Sequence, residues 1–152
     1  MRSLILASLV IAGPAFAQGR ITEADVRGFL TRQEAAWNAG RLDAYFAGFT
    51  PDASFTDQAY VGDKPPVRYG TSTLPQARTQ ARKSLQGAKP RETGRILRIA
   101  IAADGRSARV DSRVESVVKS RRLCAARVQT LISAKGGLRS RGQTDTFIKC
   151  PK

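Results

Sequence analysis

The sequence predicts an α+β domain in which three N-terminal helices pack on the concave face of a curved antiparallel sheet. Two observations carry this. Between Thr22 and Leu85 most apolar residues recur at three- and four-residue intervals, the helical period. From residue 93 onward the chain reads as strands, with clean alternation in 106–120 and glycine-marked turns at Asp104-Gly105 and Gly136-Gly137. Helices first and a meander after is the order of an α+β domain with its helices on one side of the sheet.

The first helix begins at Thr22, where Asp25 three residues on completes a capping box. Its apolar stripe is Val26, Phe29, Leu30 and Trp37, and Gln33 lies on the same stripe. A polar group there points inward and needs a partner. Gly40 ends the helix. A short second helix carries Leu42, Tyr45, Phe46 and Phe49 on one side and is expected to close at Pro51. Residues 53–57 alternate as a short strand, with Ala53, Phe55 and Asp57 on one face and Ser54 and Thr56 on the other. If the Phe55 face is buried, Asp57 is drawn into apolar surroundings. Residues 58–70, with Gly62, Pro65-Pro66 and Gly70, read as an irregular loop. A third helix is expected over 73–85, with Leu74, Ala77, Ala81 and Leu85 as its seam and Pro90 beyond it. The expected strands are then 93–103, 106–120, 122–135 and 138–150. The second of these places Ala108, Val110, Ser112 and Val114 inside and Arg109, Asp111, Arg113 and Glu115 outside.

Residues 1–17 read as a signal peptide rather than as part of the fold. Arg2 supplies a positive start, 4–12 an apolar run too short to span a bilayer, and Ala15-Phe16-Ala17 a small-x-small cleavage site. The expectation is cleavage after Ala17, a single domain over 18–152, no membrane span in the mature chain, and a periplasmic or secreted location. In an oxidising compartment Cys124 and Cys150 are expected to form a disulfide. If residues 135 and 139 pair across a three-residue hairpin loop, Cys124 falls opposite Cys150. Such a bridge contributes about 3 kcal/mol by the chain-entropy account.

The chain holds 26 Lys plus Arg against 12 acids, a net charge of +14, and 19 of the basic residues are Arg. Such a surface can meet an anionic polymer. The charges are spread from Arg20 to Lys152, however, and aromatics are not interleaved with them as in single-strand binders. A solvated basic face is therefore the plainer reading. There is no histidine. That excludes histidine triads, histidine metal sites and histidine proton shuttles. No phosphate loop, dinucleotide fingerprint or zinc-ligand spacing is found, so no cofactor and no metal is expected. Any catalysis must run on carboxylates, amides, tyrosines or arginines.

The run Asn38-Ala39-Gly40-Arg41-Leu42-Asp43, followed by Asp52-Ala53-Ser54-Phe55-Thr56-Asp57, resembles the first part of ketosteroid isomerases and, more widely, of the nuclear-transport-factor-like (SnoaL-like) superfamily. Those isomerases carry N-A-G-D-L-D and then D-A-T-V-E-D-P, and the spacing from Gly40 to Asp57 matches without a gap. The resemblance implies a cone-shaped sheet around an apolar pocket, a small apolar or amphipathic ligand, and often a homodimer. It does not fix an activity, because the superfamily mixes isomerases, cyclases, dehydratases and non-enzymes.

Carried over by position, the resemblance places Asp57 at the isomerases' general base. It places Gln33 where they have an oxyanion-stabilising tyrosine, and Gln129 loosely where they have a second donor. An amide donates a hydrogen bond but stabilises an enolate less well than a phenol. The plainer reading of Asp57 is a carboxylate satisfied structurally, and of Gln33 a buried amide bonded to the sheet. Trp37, Phe29 and Phe55 are candidates for core or pocket wall, and Tyr60 and Tyr69 for the rim. Three functions follow: an exported, non-enzymatic small-molecule-binding or accessory domain, an isomerase or lyase with Asp57 as base, and a basic module for an anionic polymer or partner.

Overall fold

The computed structural model describes residues 19–151. The signal peptide expected over 1–17 lies outside the described residues. Nine elements follow in order: α1 (Glu23–Asn38), α2 (Leu42–Phe46), β1 (Phe49–Ala59), β2 (Val67–Thr73), α3 (Leu74–Leu85), β3 (Arg91–Ile101), β4 (Ser107–Val118), β5 (Arg121–Ala134) and β6 (Gly137–Ile148). The strands form one six-stranded sheet in the order β2-β1-β6-β5-β4-β3. All neighbours run antiparallel except β1 and β6, which run parallel.

The helices start where the sequence signals them. Thr22 and Asp25 form the capping box of α1. Thr73 and Gln76 form that of α3, and Pro75 sits in its first turn, where a missing N–H removes no helical bond. Helix α3 ends at Gln86, which takes a left-handed conformation. Near its C-terminus α1 is tied to the free edge of β3. The Asn38 amide donates to the Glu92 carbonyl at 2.8 Å and accepts from the Glu92 N–H at 2.6 Å. The Glu34 carboxylate accepts from the Gly94 N–H at 2.9 Å. These bonds satisfy edge groups that would otherwise invite another strand.

Two apolar clusters fill the space between helices and sheet. One gathers Ile21, Val26, Phe29, Ala108, Val110 and Leu131. The other gathers Ala36, Tyr45, Phe46, Phe49 and Ala53, with Trp37, Phe55 and the α3 seam packed against it.

Three expectations are corrected. Phe49 and Pro51 belong to β1, not to α2. Proline is tolerated there because the β1–β6 ladder jumps from Phe49↔Ser140 to Ser54↔Gly142, so Pro51 has no ladder bond to break. The stretch expected as loop contains the end of β1 and the start of β2. That edge strand is mostly exposed, so it carries no apolar alternation to read. The β5–β6 hairpin turns through Lys135-Gly136, with Ala134 opposite Gly137, rather than through three residues. A bulge between Thr130 and Leu131 then sets Cys124 opposite Ile148. Cys150, just beyond the strand, still reaches Cys124 diagonally, and the disulfide forms at a Cα separation of 5.2 Å.

Candidate functional site

The parallel β1–β6 pairing sets inward side chains from four strands into one row. Ser112 on β4 pairs with Arg127 on β5, Arg127 with Asp145 on β6, Asp145 with Asp57 on β1, and Asp57 with Gly70 on β2. Over part of this row lies a cavity of about 320 Å³ between the sheet and the helices. Its walls include Trp37, Tyr45, Phe46, Phe55 and Phe147, and α3 closes one side with Ala77, Gln80, Ala81 and Ser84. The size lies at the small end of ligand pockets, and the mixture of apolar walls with a few polar groups is typical of them.

The cavity contains an ion network. Arg127 donates from Nε and Nη2 to Asp145, at 2.8 and 3.0 Å, and from Nη1 and Nη2 to Glu92, at 2.6 and 3.1 Å. The side chains of Arg127, Glu92 and Asp145 are only 12%, 9% and 15% exposed, so the network is largely desolvated. Burial works against the guanidinium charge, but the two carboxylates outweigh it and raise the Arg127 pKa well above its ordinary value. Gln143 extends the network by donating to Asp145 at 3.0 Å and receiving the Tyr45 hydroxyl at 3.4 Å. Burial pushes the Tyr45 phenol far up, so it stays neutral.

Asp57 stands outside this network. It directly opposes Asp145 on the same sheet face, yet makes no ion pair among the described residues. The residue is solvent-exposed overall, but its carboxyl is partly covered at the cavity wall. That covering raises its pKa; Asp145 adds to the rise and Arg127 opposes it. Gly70, opposite on β2, leaves the side beside the carboxylate open. The ladder irregularity between Asp57 and Gln58 leaves Tyr69 without a partner and turns its ring to within 6.2 Å of the Phe147 ring. Burial and then Asp57 raise the Tyr69 pKa.

Of the candidates from sequence, Trp37, Phe55 and Asp57 meet at the cavity. The others are not among its lining. Phe29 is core, packed with Ile21 and Val26. Gln33 is buried, but its amide lies against Gly48, where even a Cβ would sit 1.5 Å from Nε2, and its Oε1 has no partner among the described residues. Gln129 is buried on β5 between Val110 and Gln143. Tyr60 and Tyr69 are 57% and 63% exposed. Sequence reading missed Arg127, Glu92, Asp145 and Gln143. Arg127 and Asp145 had a signal, because each falls on the inward phase of an alternating strand next to the other. Glu92, two residues past Pro90, had none.

A cone-shaped α+β domain with one side of its sheet roofed by helices over a cavity defines a class of vessel-like folds. No protein-family model matches the chain, and no curated protein matches its sequence. Solved structures do match its backbone. It is similar to an NTF-2-like protein of unknown function from Shewanella oneidensis MR-1 at 15% identity, over 81% of this chain and 97% of that one, with a TM-score of 0.64. It is similar to a ketosteroid isomerase-like protein from Erwinia carotovora atroseptica SCRI1043 at 14% identity, over 84% and 96%, with a TM-score of 0.59. A Catenulispora acidiphila protein in complex with S-DNPA matches at 17% identity, over 82% and 91%, with a TM-score of 0.56. The chain therefore has the nuclear-transport-factor-like fold that its Asn38–Asp57 segment suggested.

Proposed function

We propose that the protein is an exported domain that binds a small amphipathic molecule in the cavity between α1, α3 and the sheet. The observation that carries the reading is the cavity itself: about 320 Å³ of unfilled space, walled by aromatic rings and containing a satisfied ion network. Natural interiors are packed densely, so a space of this size with polar groups at defined points suits a ligand better than a packing fault. The Cys124–Cys150 disulfide supports export.

Trp37 is the chain's sole tryptophan and lines the cavity, so its fluorescence reports occupancy. Titration with a panel of small single-ring amphiphiles should give a saturable change, abolished in Ala81→Phe, which fills the cavity. A panel without any saturable change, or an equal response in Ala81→Phe, would sink the reading.

A second reading is favoured by Asp57 alone. A carboxylate that makes no ion pair among the described residues, its pKa raised by partial covering beside an apolar wall, supports a general-base role. The position that aligns with the isomerases' oxyanion tyrosine holds Gln33, which packs on Gly48 and not on the cavity, and this supports binding over isomerisation. Asp57→Asn separates the two. Turnover lost at saturating ligand speaks for an enzyme, and a change confined to affinity speaks for a binder.

A further inference from the structure

We propose that the cavity is built for an organic cation: a small arylalkylammonium whose charged head meets Asp57 and whose apolar body lies along the aromatic wall. This rests on the small-molecule reading and narrows it to one charge class.

The charges in the cavity wall are three carboxylates, Asp57, Glu92 and Asp145, against one guanidinium, Arg127. This local surplus is opposite in sign to the chain as a whole, which carries +14. The surrounding positive surface acts at longer range and is screened over about 10 Å at 0.1 M salt, so the cavity's own groups decide what enters.

An anionic ligand has little to hold. Arg127 already directs four hydrogen bonds at Glu92 and Asp145, and an entering anion would face Asp57 and Asp145 together. A neutral ligand would cover Asp57 further and give its charge no partner, which is unfavourable. A cation supplies the partner that the carboxylate lacks among the described residues.

The walls fit the same class. Phe55 lies two residues before Asp57 on its face of the sheet, and Phe147 two residues after Asp145 on the adjoining strand. Tyr69 is brought beside Phe147 at the rim. Aromatic faces attract cations electrostatically, and they also accept an apolar body. A primary ammonium can thus pair with Asp57 while its ring reaches toward Trp37.

Three probes with one phenyl ring and similar arms test this: 2-phenylethylammonium, 2-phenylethanol and 3-phenylpropionate, each titrated by Trp37 fluorescence and by calorimetry. The expected result is that the ammonium binds about ten-fold more tightly than the alcohol. The propionate should bind most weakly. Asp57→Asn should abolish the preference for the ammonium over the alcohol. Equal binding of ammonium and alcohol, tighter binding of the propionate, or a preference that survives Asp57→Asn overturns the charge assignment and leaves the cavity reading standing. No binding by any of the three overturns both.

Discussion

Asp57 and Asp145 face each other across the parallel strands β1 and β6, and Arg127 is hydrogen-bonded to Asp145 alone of the two. One carboxylate of the pair is thereby fixed in structure, and the other is left available at the cavity. The ion network and the candidate ligand site are neighbours with different duties, and they respond differently to substitution.

Removing Arg127 strands two largely buried carboxylates. Arg127→Met should lower stability by about 3–5 kcal/mol in urea unfolding. Adding Glu92→Gln and Asp145→Asn should restore much of the loss, because the unpaired charges go with their partner. Arg127→Lys should also be costly, since an ammonium cannot reproduce two forked contacts.

Asp57 predicts a pH dependence of known sign. Its folded pKa is raised, so its protonated form is favoured by folding and its ionised form is disfavoured. Asp57→Asn should therefore be slightly more stable than the parent at pH 7, by less than about 1 kcal/mol given the exposure of the site. The advantage should vanish on acidification below the unfolded-state carboxylate range, where both forms are neutral. Thermal unfolding of the pair from pH 7 down to 3 measures it. A gap that stays constant with pH contradicts the assignment.

Gly48 and Gln33 should be coupled. Gly48→Ala puts a methyl group into the Gln33 amide and should destabilise by about 1–3 kcal/mol. Gln33→Ala in the same chain should relieve the clash. A double-mutant cycle in urea reads the interaction energy, and additive losses would show that the two do not touch.

The disulfide should contribute about 3 kcal/mol. Cys124→Ser with Cys150→Ser should lower the unfolding free energy extrapolated from urea by that amount and leave the fold intact, because the bridge only fastens the end of a hairpin already paired along its length. Reductant should shift the parent toward the variant and leave the variant unchanged.

The helices and the four-strand meander were legible in the sequence because their signals are local. The Thr22–Asp25 box, the Val26–Trp37 stripe and the alternation from Ala108 to Val114 each lie within one element. Strand β2 was not legible, because an exposed edge strand buries too little to show a period. The hairpin register was missed because the chain turns through Lys135-Gly136 rather than through three residues, and the bulge at Thr130–Leu131 recovers only one residue of that offset. At the site, Asp57 and Trp37 were found through spacing along β1 and α1. The partners of Arg127 come from β3 and β6, and only the sheet order brings them together. Gln33 was read correctly as pointing inward. What it meets there depends on the path of the chain through Gly48, which no local pattern announces.

A crystal structure of the protein soaked with 2-phenylethylammonium tests the central claim most directly. The account predicts density inside the cavity, with the ring beside Trp37 or Phe55 and the ammonium within hydrogen-bonding distance of the Asp57 carboxylate. Density bound only elsewhere, or a cavity closed by the inward collapse of Trp37 and Phe55, would contradict it.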